Sequence, residues 1–525
     1  MQTIRIPALR TQALIGIGFM GIALLAAWQI GGKIAIGDTA FLIYAALGFA
    51  ACAATVVIMQ NWRTGFYIFF VWMMFEDLVR KYMGNGLALF FGKDVLLALI
   101  YLSFYAAVRK GREKTFRPPF LFFFSLFFWL GLLQVFNPNS PSIWYGLLGF
   151  KVYFYYVPLL FVGYSLIRND EDLKKFLTVN ALLAIAVSVI GITQSIRGNG
   201  FLNPASLAPE LQELGDLNKT TLSGQFFNLP DSVFVSAGRY TEYLPIAFLI
   251  AMGAAGYLLL YTKRSRGLVF TAIGLLGVAA LLSGNRGCFG TILIASVLLS
   301  MGFVWGAPWR QRQAHRMVKA IRQSALIAAT ALIIVFALFP QEAGSRLQYY
   351  TETMLPNGGN YQLGYRAWDY PLQNFLAAFS LPNWVFGYGI GTASLGTQYV
   401  AKLTGTRPLP IGVEEGYGAL IVQMGIVAPV LWILWTAALL YYSWKVIRTL
   451  RETRLFPIAL AIGWYAFVLL YQWTYGSMNG YENYTCNVFL WLLIGILFRL
   501  PDLLVKSPNR DSLVLADSQA SGLSS

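Results

Sequence analysis

The residues best suited to chemistry in this chain are arginines and glutamates at the edges of apolar runs. Arg286 lies in Ser283-Gly284-Asn285-Arg286-Gly287, a connection of near-minimal length between two apolar spans. A charge at bilayer depth costs about 2.5–3.5 kcal/mol on the mildest scale, so such an arginine needs a partner. Two readings fit: a snorkelling residue that caps a helix hairpin, or an anion site, because guanidinium matches phosphate or carboxylate bidentately. Gly284 and Gly287 let the backbone turn and approach a ligand closely. Arg239, in Ala237-Gly238-Arg239-Tyr240-Thr241-Glu242, repeats the theme, with an interfacial anchor paired to Glu242 as the alternative. Arg366 lies in Gly364-Tyr365-Arg366-Ala367-Trp368-Asp369-Tyr370-Pro371, where its alternative is a salt bridge to Asp369 at helical spacing. Three arginines at one lip of a lipid-embedded bundle would suit a lipid-linked pyrophosphate.

Glu414 and Glu415 precede Gly416-Tyr417-Gly418 and a long apolar run. At a helix N-terminus a carboxylate interacts well with the dipole, which is the capping account. The catalytic account makes one of them the acceptor of a hydroxyl proton. Trp368, Tyr365, Tyr388, Tyr361, Trp384 and Tyr399 crowd the same region, either as an interfacial belt or as faces on which sugar rings stack. Gly387-Tyr388-Gly389-Ile390-Gly391 has no βαβ unit around it, so a dinucleotide loop is rejected. The sequons at Asn218 and Asn483 carry no weight, and His315 is read as a solvated residue of a basic connection. Cys52, Cys288 and Cys486 show no metal spacing and imply no disulfide framework.

The elements that must position these residues are membrane helices. Of 525 residues, 57% are hydrophobic and only 12% charged, against roughly 25% charged in a soluble domain. That excludes a soluble enzyme, a disordered chain and a fibrous repeat. The net charge of +16 reflects cytoplasmic loops rich in Lys and Arg, not nucleic acid. The apolar runs are continuous, not alternating, which excludes strands. Spans are expected near 13–31, 39–60, 64–79, 93–108, 118–136, 144–166, 175–197, 241–261, 267–284, 287–305, 324–340, 413–443, 457–475 and 484–500. The fold class is thus all-α, a polytopic transmembrane bundle of about 12–14 spans within residues 1–500. Two long connections, 197–240 and 341–412, face outward, and 501–525 is a disordered cytoplasmic tail. Basic connections around 109–117, 263–266, 310–322 and 445–454 fall on the cytoplasmic side. Arg80, Lys81 and Lys93 fall on the outer side instead, with Glu76, Asp77 and Asp94 close by to neutralise them. Long loops in compact architectures are usually functional, so the active surface is sought on the outer face.

Three stretches resemble the O-antigen ligase and O-antigen polymerase superfamily of bacterial envelopes. Leu281-Leu282-Ser283-Gly284-Asn285-Arg286-Gly287 resembles the family's Ser-x-Ser-Arg-Gly hairpin, with Asn285 where Ser is usual. Arg366-Ala367-Trp368 followed by Phe386 to Gly391 resembles the Arg…Trp…Gly-x-Gly order of the large outer loop. Glu414 to Gly425 resembles the segment that closes that loop. The resemblance covers roughly residues 235 to 440. It implies a metal-independent membrane glycosyltransferase with no cofactor and no nucleotide sugar, working at the periplasmic face of the inner membrane. Its donor and acceptor would be undecaprenyl-pyrophosphate-linked oligosaccharides, with membrane lipid, a flippase and a chain-length regulator as partners. Arg286 and Arg366 would grip the pyrophosphate with Arg239 assisting, Trp368, Tyr365 and Tyr388 would meet sugar, and Glu414 or Glu415 would take the proton. Ligases of the family carry a His-Asn pair where this chain has Glu414-Glu415, which favours a polymerase over a ligase. A secondary transporter and a scaffold subunit are the rival classes.

Overall fold

Local signals in the sequence start the helices. Asn169 accepts a hydrogen bond from the N–H of Asp172 at 2.9 Å. Three acidic residues in the first turn of the helix that follows then meet the positive end of its dipole. Ser142 caps another helix through the N–H of Trp144 at 3.3 Å. Asn285 caps a third through the N–H of Cys288 at 3.0 Å.

The computed structural model describes residues 39–83, 87–204, 218–261, 266–307, 333–394, 396–407, 416–471 and 478–505, with 319, 322, 330, 409 and 413 between them. The expected first span (13–31), about half of the expected span 324–340, His315, Glu414, Glu415 and residues 506–525 of the expected tail lie outside the described residues, whereas 501–505 of that tail continue the last helix.

In chain order the helices are α1 (Thr39–Gln60), α2 (Trp62–Met83), α3 (Leu87–Arg109), α4 (Leu121–Gln134), α5 (Ile143–Phe154), α6 (Leu159–Leu166) and α7 (Asp170–Arg197). After a hairpin of β1 (Asn218–Thr220) and β2 (Phe226–Asn228) come α8 (Ala237–Tyr261), α9 (Arg266–Leu282), α10 (Arg286–Trp305) and α11 (Pro340–Met354). A π-helical turn at Tyr365–Asp369 leads into α12 (Tyr370–Phe379), then α13 (Thr397–Thr404), α14 (Gly416–Met424), α15 (Val427–Thr449), α16 (Phe456–Leu470), α17 (Met478–Glu482) and α18 (Tyr484–Val505).

Among the described residues seven helical segments are long and apolar enough to cross a membrane: α3, α5 continuing into α6, α7, α8, α10, α15 and α18. Shorter apolar helices lie at Gly48–Gln60, Leu121–Gln134, Arg266–Leu282 and Phe456–Leu470. The outward stripe of α10 exposes Leu293, Ile294, Val297 and Met301. In water such a face would be an aggregation liability; in a bilayer it is the expected lipid surface. The protein is therefore a multi-pass, membrane-embedded helical protein.

Two compact units divide the chain. One comprises Met1–Phe70 with Asp94–Ala106, the other Val71–Lys93 with Ala107–Ser525. In the first, Trp62 meets Phe104 edge-on at 5.0 Å, and the Ser103 hydroxyl donates to the Ile58 carbonyl at 2.8 Å. In the second, α8 and α18 form the interior, with 89% and 78% of their most apolar windows buried. Backbones of α6 and α18 touch through small residues. A Cβ on Gly163 would lie 2.3 Å from the Leu492 carbonyl oxygen, and one on Gly495 would lie 2.1 Å from that of Leu160.

Two expected features take a different form. The run 413–443 is not one helix but α14 and α15, parted at Gly425, whose φ is +80° and where a Cβ would lie 2.3 Å from the Val385 carbonyl oxygen, leaving no room for a side chain. The large connection 341–412 is itself largely helical, holding α11, the π turn, α12 and α13. Its glycine motif is a docking loop: Gln134 donates to the Phe386 carbonyl at 2.8 Å, Asn137 to the Gly387 carbonyl at 3.2 Å, and the Gly391 N–H reaches Gln423 at 2.9 Å.

Candidate functional site

Charges on α2 begin the site. Glu76, Asp77, Arg80 and Lys81 are all buried, and a buried charge is tolerable only with a well-placed partner. Asp77 sits between two guanidinium groups. Arg80 Nη1 donates to its Oδ1 at 2.8 Å, and Arg239 Nη1 donates to Oδ2 at 2.7 Å and Oδ1 at 3.0 Å. The Val235 N–H adds a bond at 3.3 Å. Lys93 Nζ donates to Glu76 Oε1 at 2.9 Å and to the Phe90 carbonyl at 2.6 Å.

Local neutralisation thus holds for Arg80 and Lys93. Lys81 turns instead to Asp231 of the first long connection, at 2.8 Å. Burial pushes the Asp231 carboxyl above its ordinary value, and the Lys81 ammonium pulls it back. The expected alternative pairing of Arg239 with Glu242 gives way to Arg239 with Asp77. A fully buried carboxylate shared by several donors outcompetes a neighbour on the same helix, and Glu242 takes its hydrogen bond from Asn483.

Arg239 and Lys93 also line a cavity of about 270 Å³, close to the lower end of the range for small-molecule sites. A third cation, Lys151 of α5, lines it too, its Nζ lying 5.1 Å from the Phe90 ring centre and 5.0 Å from that of Phe91. Phe90, Tyr156, Tyr399 and Tyr484 give the wall aromatic faces. Tyr399 stacks on Phe90 at 5.0 Å and accepts a hydrogen bond from Arg80 Nη2 at 3.1 Å. Two carboxylates, Glu242 and Glu482, complete the lining. Glu482 Oε1 accepts from Ser394 at 3.1 Å, Gln423 at 3.2 Å and Tyr153 at 3.4 Å.

Arg239 is only partly covered, its side chain 24% accessible. Its side-chain hydrogen bonds all leave from Nη1, so among the described residues Nε and Nη2 carry none. That edge of a guanidinium is the fork that meets two oxygens of a phosphate or carboxylate. Cations, a free fork and stacking faces around one void suit a ligand that joins an anionic group to sugar or another ring-bearing group.

Comparison with protein-family models finds no match, and comparison with curated proteins finds none.

The other residues named from the sequence lie as follows. Arg286 opens α10 and is half-buried, its Nη1 sealed from solvent without a hydrogen bond. The hairpin before it touches the helix of Arg239: Asn285 donates to Thr241 Oγ1 at 3.1 Å. Gly284 has φ +68°, and a Cβ there would lie 2.5 Å from Leu229. Arg366 is exposed on the π turn, its guanidinium 4.6 Å from the Tyr370 ring centre, and it makes no ion pair with Asp369. Trp368 and Tyr365 are exposed, whereas Tyr388 packs against the cluster of Ala378, Ile421 and Val422. None of Arg286, Arg366, Trp368, Tyr365 or Tyr388 lines the cavity. Asn483, the second sequon asparagine, is buried. Lys151 and Glu482 went unmarked in the sequence, and Glu242 was marked only as a partner. The signal was there: an ionisable residue inside an apolar run is a functional candidate by default.

Proposed function

We propose that this chain is a membrane glycosyltransferase, a polysaccharide polymerase. It joins undecaprenyl-pyrophosphate-linked repeat units at the periplasmic face of the bacterial inner membrane. The observation that carries the reading is Arg239, whose Nη1 is held by Asp77 and which lines a cavity together with two lysines and aromatic rings. A diphosphate fits the cations, and a glycan fits the rings.

In the proposed reaction a hydroxyl at the non-reducing end of one lipid-linked unit attacks the anomeric carbon of another. Undecaprenyl pyrophosphate leaves, and the cations stabilise charge growing on it. The family resemblance alone adds Arg286 and Arg366 to the diphosphate grip, Trp368, Tyr365 and Tyr388 to the glycan path, and Glu414 or Glu415 as candidate proton acceptors; none of the first five lines this cavity. Neither metal nor nucleotide takes part.

A deletion strain tests this. Accumulation of single lipid-linked repeat units with loss of long chains is the expected result. Long lipid-linked polymer left untransferred would identify a ligase, and neither change would favour a transporter or a scaffold. Arg286→Ala with unchanged polymer length and yield would remove that residue from the grip.

A further inference from the structure

Glu242 stands one helical turn from Arg239 on α8, so the two share a face, and both line the cavity. Its two oxygens are treated differently. Oε2 accepts hydrogen bonds from the Asn483 amide and from the Cys486 thiol at 3.9 Å, two neutral donors from one end of α18. Oε1 accepts none among the described residues. The carboxylate is thus anchored by one oxygen and open at the other, beside the fork that would hold a diphosphate.

The other carboxylates of the region are committed elsewhere. Protonating Asp77 or Glu76 would break a buried ion pair at 2.7 Å or 2.9 Å. Glu482 ties together Tyr153 of α5, Gln423 of α14 and Ser394 of the loop before α13. Protonating Glu242 on Oε1 breaks no hydrogen bond and no ion pair among the described residues.

We infer that Glu242 is the catalytic proton acceptor of this cavity, working on the same lipid-linked substrate that Arg239 holds. The inference rests on the proposed polymerase reading. The acceptor hydroxyl oxygen forms its bond to the anomeric carbon as the bond from that carbon to the diphosphate oxygen breaks. The electron pair of the broken bond leaves on the diphosphate, the hydroxyl proton moves to Glu242 Oε1, and water later removes it. A base in this position contributes about 100-fold to 10,000-fold in rate.

The test uses the full chain in lipid nanodiscs, with lipid-linked repeat units extracted from the deletion strain as substrate and undecaprenyl diphosphate as the binding probe. Glu242→Gln is expected to lower turnover about 100-fold or more while probe affinity stays within about threefold. Glu242→Ala is the second variant, and formate in the buffer is expected to restore part of its turnover. E242Q turnover within about threefold of the parent overturns the inference, as does a folded E242A that saturating formate does not rescue. Loss of turnover in E414Q or E415Q with E242Q near the parent does the same. A parent chain that binds the probe yet never elongates the extracted units overturns the polymerase reading itself, and the inference with it.

Discussion

Arg239 and Asp77 stand 162 residues apart in the chain and meet at 2.7 Å, with Arg80 closing on the same carboxylate from the other side at 2.8 Å. This shared carboxylate fixes the start of α8 against α2. Removing it would take away the carboxylate that both guanidinium groups share. Asp77→Ala is expected to cost about 3–5 kcal/mol of stability, read as a lowered unfolding midpoint of purified protein in detergent. A midpoint equal to the parent's would show that the cluster does not hold the two helices together.

Arg239→Lys separates charge from shape. Lysine keeps the positive charge but has no planar fork. If the cavity holds a diphosphate through that fork, affinity for undecaprenyl diphosphate should fall about tenfold or more. Equal affinity in a titration of the two proteins would remove Arg239 from the grip.

The contact of α6 with α18 sets a steric limit. Gly163→Val or Gly495→Val would drive a side chain into a carbonyl oxygen now 2.3 Å or 2.1 Å from the Cβ position, and neither variant should elute as a single species from a sizing column. Gly274→Ala on α9 meets nothing within 4 Å. It should hold or raise stability by about 0.4–1 kcal/mol, because alanine reduces the freedom of the unfolded chain.

Arg346 of α11 is 1% exposed. It donates to the carbonyls of Glu342 at 2.7 Å, Asn228 at 3.1 Å and Ser195 at 3.5 Å, joining the two long connections to the end of α7. Arg346→Ala is expected to destabilise by about 3 kcal/mol, since charge-assisted bonds are worth about 1.5–3 kcal/mol each. Amide exchange should rise first in the hairpin Asn218–Asn228. Unchanged protection there would contradict the clamp.

Arg366 is the counter-case. Among the described residues its guanidinium meets the half-buried Tyr370 ring, a contact worth about 0.5–1 kcal/mol, so Arg366→Ala should leave the unfolding midpoint almost unmoved. In cells the same substitution should shorten or abolish the polymer if the residue serves the glycan path. A large fall in stability with normal polymer would reverse both expectations.

Hydropathy exposed the membrane character and most of the helices, because a lipid-spanning segment must be continuously apolar and hydrogen-bond itself. The expected spans 175–197 and 241–261 match α7 and α8 to within a few residues. The breaks did not show in the same way. The turn between α5 and α6, with Pro158 at its end, and the one at Gly425 interrupt apolar runs without changing their polarity. The local pairs Arg80–Asp77 and Lys93–Glu76 were legible as neighbours of opposite sign. Arg239–Asp77 was not, since nothing within reach of Arg239 along the chain pointed to a helix 162 residues away. For the cavity, arginines at interfaces are the more conspicuous residues in the sequence. Lys151 and Glu242, single charges inside apolar runs, were the stronger sign, because lipid penalises them unless the fold gives them a partner or a void.

The contrast between α8 and α10 reaches into how such a chain tolerates sequence drift. With 89% of its most apolar window enclosed against 28% for α10, α8 has almost no position where one greasy side chain can replace another without repacking its neighbours. Along α10, by contrast, most outward positions ask only for something oily. Homologues of this chain should therefore diverge fastest along the perimeter and hold α8 nearly letter for letter, so that an alignment anchored on α8 would find distant kin that one weighted evenly along the chain overlooks.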